Sequence, residues 1–145
     1  MTTTLKLLRF LGPTLLFFGS FVVLPPLLIS YFNNILDSNM LWIYFSCIAY
    51  SLIILLTLRR KKFSYTPRDG FIITFLTWVF ISVLASLPFL NNNLTFYDAL
   101  FEAVSGLTTT GSTVIKDLSL LPDHVLLYRQ LLQWSGGVGL VIVVL

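Results

Sequence analysis

The sequence predicts an all-α membrane protein built of transmembrane helices plus one short re-entrant helix and its loop. Of its 145 residues, 57% are hydrophobic and only 10% charged, which leaves no room for a separate soluble domain. The apolar residues fall into long uncharged runs, each near the roughly 20 residues that cross a hydrocarbon core. Between the last two runs lies Asp98 to Thr113, too short and too polar to be a span itself.

The first run extends from Phe10 through Leu36 without an acidic or basic residue. Pro13 falls inside it, and Pro25-Pro26 is expected to bend its outer third, because proline removes an amide donor from the helix. A cleaved signal peptide would need a shorter apolar region and a small-residue cleavage site. The second span is expected from Met40 to Leu58, the third from Gly70 to Leu90, and a fourth from Val125 onward, still running at Leu145. Cys47, the single cysteine, sits inside the second run and reads as a buried apolar residue. Residues 1–62 thus form a two-span N-terminal part with a basic loop, and residues 63–145 form a span, re-entrant helix and second span.

Charge placement gives the expected topology. Arg59-Arg-Lys-Lys62 and Arg68 lie between the second and third spans, and loops rich in Lys and Arg stay cytoplasmic. The loop Asn33 to Asn39 carries Asp37 and no basic residue, so it belongs outside, while Lys6 and Arg9 put the N-terminus inside. The net charge of +3 is therefore a topology signal and not the footprint of a nucleic-acid binder. The same cluster offers a surface to anionic membrane lipid or to a cytosolic partner. Trp42 and Tyr44 fit an interfacial aromatic belt, and Trp134 is expected to pack beside the re-entrant helix. Asn93-Leu-Thr95 has glycosylation spacing but reads as a polar turn, and His124 reads as an exposed loop residue without a companion metal ligand.

The segment from Asp98 is the most informative. A helix to about Ser105 runs into a Thr/Gly-rich loop, Thr108 to Thr113. Backbone without helical partners is tolerated at membrane depth only where it is buried in protein or lines a water-filled path. A selectivity filter uses such carbonyls to replace an ion's hydration shell. Glycine permits the backbone angles this needs, and each threonine hydroxyl adds an oxygen. Thr95 and Asp98 stand at capping spacing, and Asp98 and Glu102 fall in the first half of the helix, where its dipole favours negative charge. The partly negative C-terminal end then faces the loop and favours a cation. Glu102 is expected to be a buried carboxylate paired with Arg129 or a backbone amide, because an intramembrane charge is rarely left unpaired. Gly136, Gly137 and Gly139 suit close helix packing.

Two strings carry a family resemblance: Phe101-Glu-Ala-Val-Ser-Gly-Leu-Thr-Thr-Thr-Gly-Ser-Thr113 and Tyr128-Arg-Gln-Leu-Leu-Gln-Trp-Ser-Gly-Gly-Val-Gly-Leu140. They resemble the Trk/Ktr/HKT superfamily of potassium transporters, with the nearest likeness to the membrane subunit of the bacterial Trk potassium uptake system. The resemblance covers nearly the whole chain, including two spans ahead of the first pore unit. It implies a potassium-channel-like span–pore helix–span unit, four of which, covalently linked, surround a pseudo-fourfold axis. It implies that Gly111 is a filter glycine flanked by Thr108, Thr109, Thr110 and Ser112, with their carbonyls or hydroxyls toward the ion, and that K+ sits at Thr109, Thr110 and Gly111. Glu102 and Arg129 would support that loop. Potassium uptake across the bacterial cytoplasmic (inner) membrane follows, with K+ as cargo and nucleotide bound only by a separate cytosolic regulatory subunit.

This sequence holds one pore unit, so it is expected to be an N-terminal fragment that partners the remaining pore units or other transporter copies. Channel-like flow and coupling to protons or sodium, as in a symporter, both fit. The alternative is a truncated, non-conducting membrane protein that only assembles with or regulates other transporter subunits. A membrane-embedded enzyme has little support: no His/Cys/Asp/Glu cluster, nucleophile–base arrangement or phosphate-cradling loop is present, and the Thr-Thr-Thr-Gly segment would need a base nearby to supply a nucleophile.

Overall fold

The computed structural model describes residues 3–58, 64–92 and 94–144. The basic cluster Arg59 to Lys62 and Asn93 of the glycosylation-type triplet lie outside the described residues. Six α-helices follow one another: α1 (Thr3–Phe17), α2 (Leu24–Phe32), α3 (Ser38–Leu58), α4 (Pro67–Ser86), α5 (Phe96–Leu107) and α6 (Asp123–Val144). No strand occurs among the described residues.

α1 and α2 form one continuous rod joined by a π-helical stretch, Phe18–Val23. Neither Pro25 nor Pro26 has an amide proton to tie back to the preceding turn. The ladder loosens one turn ahead of them, where the Leu24 amide reaches the Gly19 carbonyl, and the prolines then open α2. The interruption expected at Pro25-Pro26 is therefore a wide turn just before them.

Thr4–Phe32, Ser38–Leu58 and Pro67–Leu90 are long and apolar enough to cross a membrane. The expected fourth span is present as α6 but does not belong to that apolar set; its first half carries Asp123, Arg129, Gln130 and Gln133. α5 has 12 residues, about 18 Å at 1.5 Å per residue, well short of the hydrocarbon thickness. It is longer at both ends than the expected Asp98 to Ser105.

Small residues set the helix contacts. Gly12 and Gly19 place α1 and the π-helical stretch against α3, where added Cβ atoms would lie 3.0 Å from Ile54 and 3.2 Å from Cys47. Ser51 of α3 donates to the Gly12 carbonyl at 2.7 Å. At Gly136 of α6 a Cβ would come within 2.0 Å of the Leu107 carbonyl oxygen, so α6 abuts the last turn of α5 backbone to backbone. The shared core takes Phe18, Val22 and Val23 from the first rod, Phe89 from the 3-10 turn after α4, Ala99 and Ala103 from α5, and Val125, Tyr128 and Leu132 from α6. The Tyr128 hydroxyl, fully buried, donates to the Ala85 carbonyl at 3.0 Å, which satisfies its one polar group.

Polar ties close both ends of the bundle. Near the start of the chain, Lys6 meets Asp69 at 2.7 Å and Arg9 donates to the Leu58 carbonyl. Asp69 completes a capping box with Thr66 at the start of α4. At the far end, Asp37 Oδ1 accepts the Asn39 and Met40 amides, and its Oδ2 stands 3.6 Å from His124 Nε2. This corrects the expectation for His124: it is 3% exposed and faces Asp37, because α6 begins at Asp123 and not beyond it. Trp134, expected to pack beside the re-entrant helix, is 57% exposed.

Gly136→Ala should lower the stability of the detergent-solubilised protein by about 3 kcal/mol, the upper range for overpacking, because the clash is with backbone. Gly70→Ala has open space around its Cβ and should leave the thermal midpoint unchanged or raise it.

Candidate functional site

The site is the loop that leaves α5. Thr95 caps the start of that helix, its hydroxyl accepting the Asp98 amide at 3.3 Å and donating to the Asp98 carboxylate at 2.7 Å. Buried Ala99, Ala103 and Gly106 let α5 sit close to α6, where a Cβ on Gly106 would meet Leu132 at 3.1 Å. The C-terminal end of α5 is thereby fixed in place, and its dipole with it.

The last carbonyls of α5 are satisfied by the loop itself. The Thr109 amide donates to Gly106 at 2.9 Å and the Thr110 amide to Ser105 at 3.0 Å, the two bonds of a Schellman cap. That cap needs a left-handed residue after the helix, a place glycine usually fills. Here it is Thr109, at φ 57°. A β-branched residue in this region carries strain of about 1–2 kcal/mol. Gly111, at φ 74°, takes the second reversal with no such strain. A Cβ on Gly111 would meet nothing within 4 Å, so its backbone angle, and not crowding, demands glycine there.

Thr108 to Val114 are exposed, while the residues holding them are buried. Glu102 is 0% exposed and Arg129 5%. Arg129 Nε donates to Glu102 Oε2 at 3.0 Å, and the other carboxylate oxygen accepts the Thr113 hydroxyl at 2.5 Å and the Val114 amide at 2.8 Å. The expected pairing of Glu102 with Arg129 or a backbone amide is realised with both partners at once. Arg129 also reaches the loop: one terminal nitrogen donates to the Gly111 carbonyl at 3.0 Å and lies 3.4 Å from the Ser112 carbonyl. One guanidinium thus serves a buried carboxylate and two loop carbonyls, a use of its planar fork that a lysine ammonium would not match.

The five loop residues singled out in the sequence divide into two groups. The Gly111 and Ser112 carbonyls, expected toward an ion, are taken up by the protein's own donors, Arg129 and the Ser105 hydroxyl at 2.6 Å from Ser112. The Thr109 and Thr110 carbonyls accept no hydrogen bond among the described residues. Thr108 donates through its hydroxyl to the Val104 carbonyl at 2.8 Å and lies 2.9 Å from the Thr110 hydroxyl, while the Thr109 hydroxyl donates to the Thr108 carbonyl at 2.7 Å. Thr108 to Thr110 therefore offer an exposed oxygen-rich edge. Past the loop, the Ser119 hydroxyl and amide hold the Asp117 carboxyl below its usual range, so it stays ionised.

Sequence reasoning missed Ser105 and Thr113, whose hydroxyls reach seven and eleven residues along the chain. No periodic signal marks such contacts; they exist because the loop turns back over its own helix.

A family model described as "TrkH: Cation transport protein" matches residues 37–145. The chain belongs to this family. A Trk system potassium uptake protein TrkH of Salmonella typhimurium is 36% identical over 137 residues, covering 92% of this chain and 28% of that protein. The Halomonas elongata TrkH is 39% identical over 144 residues, 94% of this chain and 29% of its own length. The crystal structure of the potassium transporter TrkH from Vibrio parahaemolyticus superposes with a TM-score of 0.82 at 35% identity, over 97% of this chain and 31% of that one. The chain thus spans less than a third of the length of these relatives.

Glu102→Gln leaves the buried Arg129 charge uncompensated and should destabilise the protein by about 3–5 kcal/mol. In a double-mutant cycle, Glu102→Gln with Arg129→Gln should lose less than the sum of the single losses by at least about 1 kcal/mol, read from denaturant midpoints in detergent.

Proposed function

We propose that this chain supplies the first of four filter segments of a potassium uptake protein. The observation that carries this reading is the clamped Thr108–Ser112 loop at the C-terminal end of the short helix α5, with the Thr109 and Thr110 carbonyls left open. Dehydrating a monovalent cation requires oxygens held in advance at the places its water occupied. The loop does this with backbone fixed by Glu102, Ser105 and Arg129, and the helix dipole adds a negative potential. The ion contacts are assigned to the Thr109 and Thr110 oxygens; Thr108 supports them through its hydroxyl, and Gly111 acts through its backbone angle. Arg129 brings a positive charge close to a cation path, and Glu102 cancels it.

One such loop gives oxygens on one side of an ion only, so the reading includes the remaining pore units. The relatives are potassium uptake proteins, which supports the choice of cargo. Residues 1–62 are the two preceding spans and residues 63–145 the pore unit. The Lys/Arg placement supports a cytoplasmic N-terminus, and the bacterial Trk relatives support an inner-membrane location. The cytoplasmic basic loop then faces the headgroups and a cytosolic nucleotide-binding regulatory subunit of Trk type, and the chain needs no cofactor of its own.

Gly111→Val, introduced into the complete native protein in cells lacking other potassium uptake, forces a β-branched residue to φ 74°. Rb+ uptake should fall at least about tenfold, or discrimination against Na+ should collapse, as expected when filter oxygens are displaced. Wild-type uptake together with wild-type discrimination would sink the assignment of Gly111.

A further inference from the structure

Ser105, like Ser30 and Ser51, turns its hydroxyl away from its own helix. Ser46, Ser82, Ser86 and Ser135 all turn their hydroxyls back onto carbonyls of their own helices, the usual habit of serine within a helix. The Ser105 hydroxyl instead leaves α5 and donates to the Ser112 carbonyl at 2.6 Å. Its own carbonyl accepts the Thr110 amide at 3.0 Å and stands 3.4 Å from the Gly111 amide. A single residue, 5% exposed, therefore grips the loop at three consecutive positions.

The grip decides where the loop oxygens go. The Ser112 carbonyl has two donors, Ser105 and Arg129, and the Ser105 bond is the shorter by a wide margin, 2.6 Å against 3.4 Å. Without it, the peptide between Ser112 and Thr113, which carries that carbonyl, keeps only the longer Arg129 contact on its oxygen. Rotation of that peptide would carry the Ser112 carbonyl away from Arg129 and toward the exposed face of the loop.

We propose that Ser105 is a positioning residue for cation discrimination: its hydroxyl holds the Ser112 carbonyl off the ion path, and its carbonyl sets the spacing of the Thr109 and Thr110 oxygens. The proposal rests on the reading of Thr108–Ser112 as a filter segment. It assigns Ser105 no contact with the ion. The hydroxyl acts through the geometry of the loop, so the quantity it governs is the ratio between ions and not the presence of an oxygen ligand.

The test uses the complete native protein in membranes, with Rb+ and Na+ uptake measured side by side. Ser105→Ala should lower the ratio of Rb+ to Na+ uptake by roughly fivefold or more, the scale of one hydrogen bond. Ser105→Thr, which keeps the hydroxyl, should restore most of that ratio. A wild-type ratio in Ser105→Ala overturns the proposal, and so does a ratio in Ser105→Thr as low as that of the alanine variant. A second measurement needs no variant: isotope-edited infrared spectroscopy of wild-type protein labelled at the Ser112 carbonyl. Exchanging K+ for Na+ should leave that band in place while a label at the Thr110 carbonyl shifts. A Ser112 band that follows the ion would overturn the proposal even if Ser105→Ala failed to fold. If Gly111→Val leaves uptake and discrimination unchanged, the filter reading fails instead, and an ion-independent, strongly hydrogen-bonded Ser112 band would separate that result from failure of the Ser105 bond.

Discussion

The guanidinium of Arg129 meets the carboxylate of Glu102 with almost no water around either group, their side chains 6% and 0% exposed. Two charges desolvated this far stay in place only if their geometry is good and their remaining hydrogen-bonding positions are filled. Filling them is what shapes the loop. Thr113 and Val114 come to Glu102, and the Gly111 carbonyl comes to Arg129. The segment between is drawn over the end of α5, and its curvature follows from the need to satisfy a buried ion pair. The pair joins helices 27 residues apart in sequence, so the loop also records where α6 lies relative to α5.

That relative position depends on missing side chains as much as on present ones. Gly136 lets α6 touch the Leu107 carbonyl, and Gly106 accepts Leu132. In a lipid environment apolar side chains give little preference for one helix face over another, so close backbone approach and buried polar contacts carry the specificity of packing. The first rod and α3 use the same device at Gly12 and Gly19, with the Ser51 hydroxyl on the Gly12 carbonyl.

The two-helix start of the chain is bound to the α4–α6 part at both ends. Lys6 reaches Asp69 at the head of α4, and Asp37 faces His124 at the head of α6. Both carboxylates also cap helices, Asp69 on α4 and Asp37 on α3. A residue that caps one helix and meets a basic side chain on another transmits the position of the first to the second. The helix bearing Arg129 is thus located by α2 and α3 as well as by its contact with α5.

Much of this was legible in the linear chain. Uncharged runs of span length and one short polar insertion determined the membrane class and the helix order, because hydrocarbon has no partners for exposed backbone. The Ser-Gly-Leu-Thr-Thr-Thr-Gly string determined where the loop falls, and a carboxylate within the short helix meant that Glu102 would need a partner. Several details were not legible. His124 looked exposed and is buried against Asp37; Trp134 looked packed and is exposed; the π-helical stretch lies ahead of the prolines that cause it. Ser105, Thr113 and the left-handed Thr109 gave no sign in sequence. Local composition determines which segments avoid water, since each residue carries its own hydrophobicity. Which carbonyls are held by the protein and which stay open is decided only when α6 brings Arg129 to the loop, because that contact joins groups that no local pattern relates.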